Sequence, residues 1–369
     1  MNKVSHYYPE LDSLRFFAFL LVLVHHSPYM KSVALWQTLS KYGWMGVDLF
    51  LGLSAFLFAR LLYVEYQEKG DINVSYFYFR RALRIWPLYF FFFTAMLIIS
   101  IQQDGWTPYM LKRSIGMLTF TDNIFTAIFG YNLVIWFSDH LWTISYEEQF
   151  YIIIPWVLRK FYQIKRVTTV FILISVMFIG MAIRALFIYN QVKHPDIWVL
   201  PITHFEAIFG GLIIGLGLFD KILKKIPSLI LLSGGVLALY LVTRLPDIEA
   251  IQWMLMLTYP LIGLGMSLIL FAVMQGNIWL LSTLFKNKIL GYLGKISYGL
   301  YVYHVACIWL AQKIIETVIS PERLLVHPLS ILLLALTITI LISMLSYHFL
   351  EKPFLRLKKR FTLIQSRPI

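Results

Sequence analysis

Leu14-Arg-Phe-Phe-Ala-Phe-Leu-Leu-Val-Leu-Val-His-His26 is an almost unbroken apolar run, entered past one arginine and closed by two histidines. With its neighbours it approaches the roughly 20 residues needed to cross the hydrocarbon of a bilayer. It lacks a clear small-residue cleavage site, so it is expected to remain as a first span rather than to be removed as a signal peptide. Similar runs recur along the chain and place expected spans near 12–30, 44–63, 84–101, 141–158, 167–189, 198–219, 227–244, 251–274, 290–312 and 325–350. In lipid every backbone amide needs an internal partner. Helices satisfy that need, whereas barrel strands would show short period-two alternation. The expected fold is all-α: a polytopic membrane protein of about ten transmembrane helices in one bundle.

Composition agrees with this. The chain is 59% hydrophobic, 17% aromatic and only 14% charged, more apolar than a soluble core of this length requires. Cys307 is the single cysteine, which excludes an intrachain disulfide and a cysteine-rich metal site. If the N-terminus is cytoplasmic, the inner segments carry more than twice as many Lys and Arg as the outer ones, with clusters at Arg80, Arg81 and Arg84 and from Lys352 to Arg360. The positive-inside rule then puts both termini in the cytoplasm. The net charge of +13 calls for anionic membrane lipids rather than nucleic acid. Residues 102–140 are too polar for a span and too apolar for a free linker, so they are expected to lie along the membrane surface or fold back into the bundle.

Four ionisable groups fall inside the expected spans at nearly one depth. At about 1.5 Å per helical residue, His26 lies roughly 16 Å outward of Arg15, Glu147 and Asp48 each roughly 18 Å from Arg159 and Arg60, and His304 roughly 14 Å from Lys295. Ionisable groups are costly at that depth and are functional candidates by default. Arg184 sits near the outer end of its run and is expected to snorkel to water. His25, His204 and His348 read more simply as hydrogen-bonding residues between helices, as do Tyr298 and Ser54. The aromatic run Tyr89–Phe93 reads as lipid-facing bulk. Glu148 points about 100° away from Glu147 around the helix and is left out.

Six strings in order carry a resemblance. Arg15 and His26 are separated by ten residues, and Gly46-Val-Asp-Leu-Phe-Leu-Gly-Leu-Ser-Ala-Phe56 follows. Next come Arg81-Ala-Leu-Arg84-Ile-Trp-Pro87 and His140-Leu-Trp-Thr-Ile-Ser-Tyr-Glu147-Glu-Gln-Phe-Tyr151. Ile296-Ser-Tyr-Gly-Leu-Tyr-Val-Tyr-His304 and Tyr347-His-Phe-Leu-Glu351-Lys-Pro353 complete the set. Together, from about residue 8 to 356, they resemble the acyltransferase-3 family of integral membrane acyltransferases. Ser13 and Ala55 stand where that family commonly has glycine. The resemblance implies O-acyl transfer, usually of acetyl, from cytoplasmic acyl-CoA to a hydroxyl of an extracytoplasmic or lipid-linked glycan, in the plasma (bacterial inner) membrane. It implies one transmembrane acyltransferase domain over 1–356 and a basic cytoplasmic tail over 357–369. The fused esterase-like domain of some members is not expected, since the sequence ends at Ile369.

The residues fit that chemistry. Acyl transfer to an alcohol needs a base, and a histidine suits it: His26 is the expected general base. Glu147 or Asp48 is expected to orient its imidazole, so His26 and Glu147 should meet in one water-accessible pocket. Arg15, Arg81 and Arg84 are expected to hold the CoA phosphates through forked hydrogen bonds, with Asp48 and His304 in support. No metal is expected. A proton-coupled transporter or exporter using the same His, Asp and Glu groups is the alternative, although no internal repeat is visible.

Overall fold

The computed structural model describes residues 8–27, 34–131, 134–250, 252–318 and 328–362, and these are helical with no strand among them. The expected span ends at 28–30, 251 and 325–327, and residues 363–369 of the expected tail, lie outside the described residues.

The first helix, α1 (Pro9–His26), has Pro at its start, Glu10 and Asp12 in its first turn and His25 and His26 in its last. That polarity suits both the fixed φ of proline and the helix dipole. It is followed by α2 (Ala34–Tyr42) and α3 (Gly46–Lys69), which stops at Gly70 with φ +78°. There a side chain would be strained and glycine is not. The longest helix, α4 (Val74–Asp104), is capped by the Asn73 side chain, which accepts from the Tyr76 amide. Next come α5 (Pro108–Leu118), α6 (Asp122–Phe129), α7 (Trp142–Gln163), α8 (Arg166–Tyr189) and the short α9 (Glu206–Gly215). The remainder comprises α10 (Ser228–Val242), α11 (Leu255–Gln275), α12 (Lys288–Lys295), α13 (Ser297–Val318) and α14 (Pro328–Ser346), which runs on into a π turn over Tyr347–Glu351.

Among the described residues, five helical stretches are long and apolar enough to cross a membrane: Trp36–Lys69, Val74–Asp104, Arg166–Tyr189, Leu255–Gln275 and Leu329–Phe361. The helices α1, α7 and α13, of 18, 22 and 22 residues, are not among them. These three carry polar residues on the face that builds the site described below.

Small residues bring the helices together. An added Cβ at Gly211 of α9 would lie 2.2 Å from the Gly52 carbonyl of α3 and 3.1 Å from the Ala55 Cβ. This is the close approach that small residues permit between membrane helices, and Ala55 fits within it.

Three expectations need correction. The sixth expected span, 198–219, is helical only over the Asp196–Val199 turn and α9. Pro201 has no amide to donate, and polar partners hold the backbone between the two helical pieces. Arg184 supplies them: it does not snorkel but is fully buried, ion-paired with Glu206 and donating to the Thr203 carbonyl at 2.8 Å. In the Tyr89–Phe93 run only Phe91 is exposed, at 54%. Tyr89, Phe92 and Phe93 are buried, and the Tyr89 hydroxyl donates to the Met117 carbonyl.

The described residues of 102–140 fold back onto the bundle. Buried Arg113 pairs with Asp122 at 3.3 Å and with Asp139, which ties α5 to α6 and to the turn before α7. Asn123 and Gln149 exchange hydrogen bonds that seat α6 on α7.

Candidate active site

A cavity of about 850 Å³ runs through the middle of the bundle. One wall is a stripe of α3 at helical spacing: Val47, Phe50, Leu51, Ser54, Phe58, Leu61, Leu62 and Glu65. From Val47 to Glu65 that wall extends about 27 Å, close to the thickness of the hydrocarbon. The other walls come from α1, α4, α7 and α13.

One end is basic. Arg15, Arg80, Arg81, Arg84, Lys295, Lys358 and Lys359 line it. Their settings differ. Arg80 is ion-paired with Glu65 at 3.1 Å and donates to the Phe361 carbonyl, so it also anchors the start of the expected tail. Arg15 pairs with Asp12 at 3.1 Å, and Arg84 donates to the Lys295 carbonyl at 3.1 Å. Arg81 rests on aromatic faces instead, 4.7 Å from the Phe58 ring and 5.8 Å from the Phe77 ring, and makes no ion pair among the described residues. Its buried Nε has no hydrogen-bond partner. Stacking holds such a guanidinium in place while leaving its fork for an anion.

Further in, Glu147 of α7 lines the cavity, accepting from the Tyr151 hydroxyl at 2.7 Å and from Ser54 at 3.5 Å. The far end is closed by Thr143 and Tyr301, whose hydroxyls lie 2.7 Å apart. Both also reach the His140 carbonyl at 3.0 Å.

Beyond that pair lies a cluster of histidines. His304 Nε2 is 3.1 Å from His26 Nδ1, and the His140 ring packs 4.8 Å from that of His304 and 6.3 Å from that of His26. His304 is fully buried. No group of His, Cys, Asp or Glu suited to hold a metal occurs among the described residues.

The sequence candidates thus separate into three places. Arg15, Arg81, Arg84 and Glu147 share the cavity. His26 and His304 share the histidine cluster behind it, and His26 does not hydrogen-bond Glu147, whose partners are Ser54 and Tyr151. Asp48 belongs to neither group. It points off the opposite face of α3, where its Oδ1 lies 2.7 Å from His204 Nε2. His204 also contacts the Trp198 carbonyl at 2.9 Å and stacks on the Trp198 ring. Neither Asp48 nor Glu147 hydrogen-bonds the His26 ring, where the expected orienting contact would lie; its histidine neighbour there is His304. Ser54 and Tyr298 make the expected interhelical bonds, Tyr298 to the Ile85 carbonyl.

Thr143, Tyr151, Tyr301 and His140 join the site without being among the residues the sequence singled out. Thr143 and Tyr151 stand four residues either side of Glu147, the spacing that stacks side chains on one helix face. Tyr301 precedes His304 by three residues. That periodicity was the available signal.

A family profile described as an acyltransferase domain matches residues 8–348. The chain belongs to the acyltransferase-3 family. Among its relatives, the protein named "Putative O-acetyltransferase SACOL0978" of Staphylococcus aureus (strain COL) is 27% identical over 375 residues, covering 95% of this chain and 58% of that protein. "O-acetyltransferase OatA" of Staphylococcus aureus (strain NCTC 8325 / PS 47) is 26% identical over 364 residues, covering 94% and 57%. The chain therefore spans a little over half the length of these relatives. No solved structure matches it significantly. The matched region is an acyltransferase-3 family domain, and its long apolar helices fit a membrane setting.

Proposed function

We propose that this acyltransferase moves an acyl group, most simply acetyl, from cytoplasmic acyl-CoA to a hydroxyl of an extracytoplasmic or lipid-linked glycan. The observation that carries this reading is the cavity: one basic end with an Arg81 that makes no ion pair among the described residues, a long half-apolar channel, and a far end next to the histidines. A nucleotide with phosphates and a long thioester arm has that shape and charge. Its phosphates pair with Arg15, Arg81 and Arg84 at the inner face, and its arm follows α3 toward Thr143 and Tyr301.

In this reading transfer is direct. His26 takes the acceptor's hydroxyl proton as the oxygen attacks the thioester carbonyl. The C–S bond breaks, the ester C–O bond forms, and Glu147, in the wall beside the arm, returns a proton to the departing thiolate. The termini are cytoplasmic, as the charge distribution favours. The relatives' names, both O-acetyltransferases, support acetyl and an oxygen acceptor.

Purified protein in nanodiscs given labelled acetyl-CoA and cell-envelope glycan tests this. Label should pass to the glycan as an ester, and His26→Ala should abolish transfer while the protein still purifies folded. Solute flux in proteoliposomes with no acyl-CoA consumed would overturn the reading in favour of a carrier. Mass spectrometry of surface glycans with and without the protein would identify the acyl group and its bearer.

A further inference from the structure

The hydrogen bonds around His26 constrain which of its nitrogens carries the proton. His304 Nδ1 lies against the Tyr301 carbonyl of its own helix, and a carbonyl oxygen only accepts, so this nitrogen bears hydrogen. His26 Nδ1 lies 3.0 Å from the Val22 carbonyl, so it too bears hydrogen. His304 Nε2 lies 3.1 Å from His26 Nδ1. With both rings neutral, one arrangement satisfies all three contacts: the Nδ1–H of His26 is shared between Val22 and the lone pair of His304 Nε2. The lone pair of His26 is then on Nε2.

From this we infer that His304 is a positioning residue, which holds the His26 ring in the tautomer whose Nε2 acts as the base. The inference rests on the reading of His26 as the base given above. When Nε2 takes the acceptor's proton, Nδ1–H stays on Val22 and His304, so the ring receives the proton without turning. A carboxylate in the place of His304 would orient the ring equally well. It would also bring a permanent charge to this buried position, which is costly in a membrane interior. A neutral imidazole avoids that cost. His304 makes no contact with a carboxylate among the described residues, and its other ring neighbours are His140, Tyr301 and Phe19.

The direct test is nitrogen-15 NMR of the unsubstituted protein labelled at histidine, with the His26 signals identified by their loss in His26→Gln. The expected spectrum has a protonated Nδ1 and a bare Nε2 on His26. A protonated Nε2 with a bare Nδ1 overturns the inference whatever the enzyme's activity. Two variants add a kinetic readout. In His304→Gln the amide oxygen reaches the place of Nε2 and accepts the same proton, whereas His304→Leu offers no acceptor. Loss of the partner that orients a metal-bound imidazole costs on the order of 10- to 100-fold, and a comparable loss is expected for this orienting partner. His304→Leu should lose that much in kcat with the acyl-CoA KM nearly unchanged, and His304→Gln should recover most of it. Full turnover in a folded His304→Leu protein, or a His304→Gln protein as slow as the Leu variant, would overturn the assignment. If His304→Leu fails to fold, the NMR result decides alone. Activity retained in His26→Gln would defeat the base assignment above and leave the tautomer result standing.

Discussion

Thr143 and Tyr301 share a 2.7 Å hydrogen bond at the far end of the cavity, and both serve the carbonyl of His140. They are the layer between the cavity and the histidine cluster. In the proposed reaction a thioester held in the cavity meets an acceptor activated by His26 at this layer, so its geometry should govern turnover more than donor binding. In Tyr301→Phe the bulk remains and Thr143 still serves the His140 carbonyl, so folding should hold. One net hydrogen bond, about 1 kcal/mol, is lost from the ring's anchoring. Turnover should fall about fivefold or more, with acyl-CoA affinity by calorimetry unchanged. A matching loss of affinity would place Tyr301 in donor binding instead.

Arg80 and Arg81 are adjacent in sequence and opposite in circumstance. Arg80 is held by Glu65 and the Phe361 carbonyl, while Arg81 lies on the Phe58 and Phe77 rings without an ion pair among the described residues. Arg81→Ala should weaken acyl-CoA binding by roughly 10- to 100-fold, the scale of a charge-assisted contact worth about 1.5–3 kcal/mol. Arg81→Lys should restore only part of this, since an ammonium lacks the planar fork and stacks poorly. Arg80→Gln should act mainly on stability, by stranding Glu65. Equal effects on affinity from the two positions, measured by calorimetry at two salt concentrations, would contradict the distinction.

A count along each helix can be read from the sequence; direction around the helix cannot. Counting residues from the inner arginines set His26, Asp48, Glu147 and His304 at one level, and that count says nothing of the way a side chain faces. Asp48 lies one residue from Val47, a step of about 100°. Val47 lines the cavity while Asp48 meets His204 on the far side of α3. The arginines were easier to place together, because positive-inside clustering already groups Arg81 and Arg84, and these line one cavity with Arg15. Arg184 misled for the converse reason. Its position near a helix end suits snorkelling, and the partner that instead buries it, Glu206, lies 22 residues away at the start of a helix too short to stand out.

That buried pair yields a stability prediction. Arg184 and Glu206 are both within the bundle, and one Arg184 nitrogen, Nη1, has no partner of its own. Arg184→Met strands an unpaired carboxylate and should cost about 3–5 kcal/mol, seen as a large fall in the detergent unfolding temperature. Adding Glu206→Gln should return much of it, because two neutral groups need no mutual compensation. Were the double variant less stable than Arg184→Met, the pair would not be the source of the loss.

Gly291 and Gly294 sit one turn apart on α12 and offer a controlled comparison. A Cβ at Gly294 would fall 1.6 Å from the Asp12 carbonyl oxygen and 2.2 Å from its carbonyl carbon, both backbone atoms of α1, whereas one at Gly291 meets nothing within 4 Å. Backbone cannot swing aside as a side chain can, so Gly294→Ala has to push α12 off α1. Overpacking of this kind costs typically 1–3 kcal/mol. Here it also displaces Asp12, the ion-pair partner of Arg15 at the cavity's basic end. Gly294→Ala should therefore lower both the unfolding temperature and acyl-CoA affinity. Gly291→Ala should leave affinity intact and add up to about 1 kcal/mol of stability by restricting the unfolded chain. Indistinguishable behaviour of the two variants in calorimetry and thermal unfolding would mean that α1 and α12 do not approach as closely as Asp12 and Gly294 require.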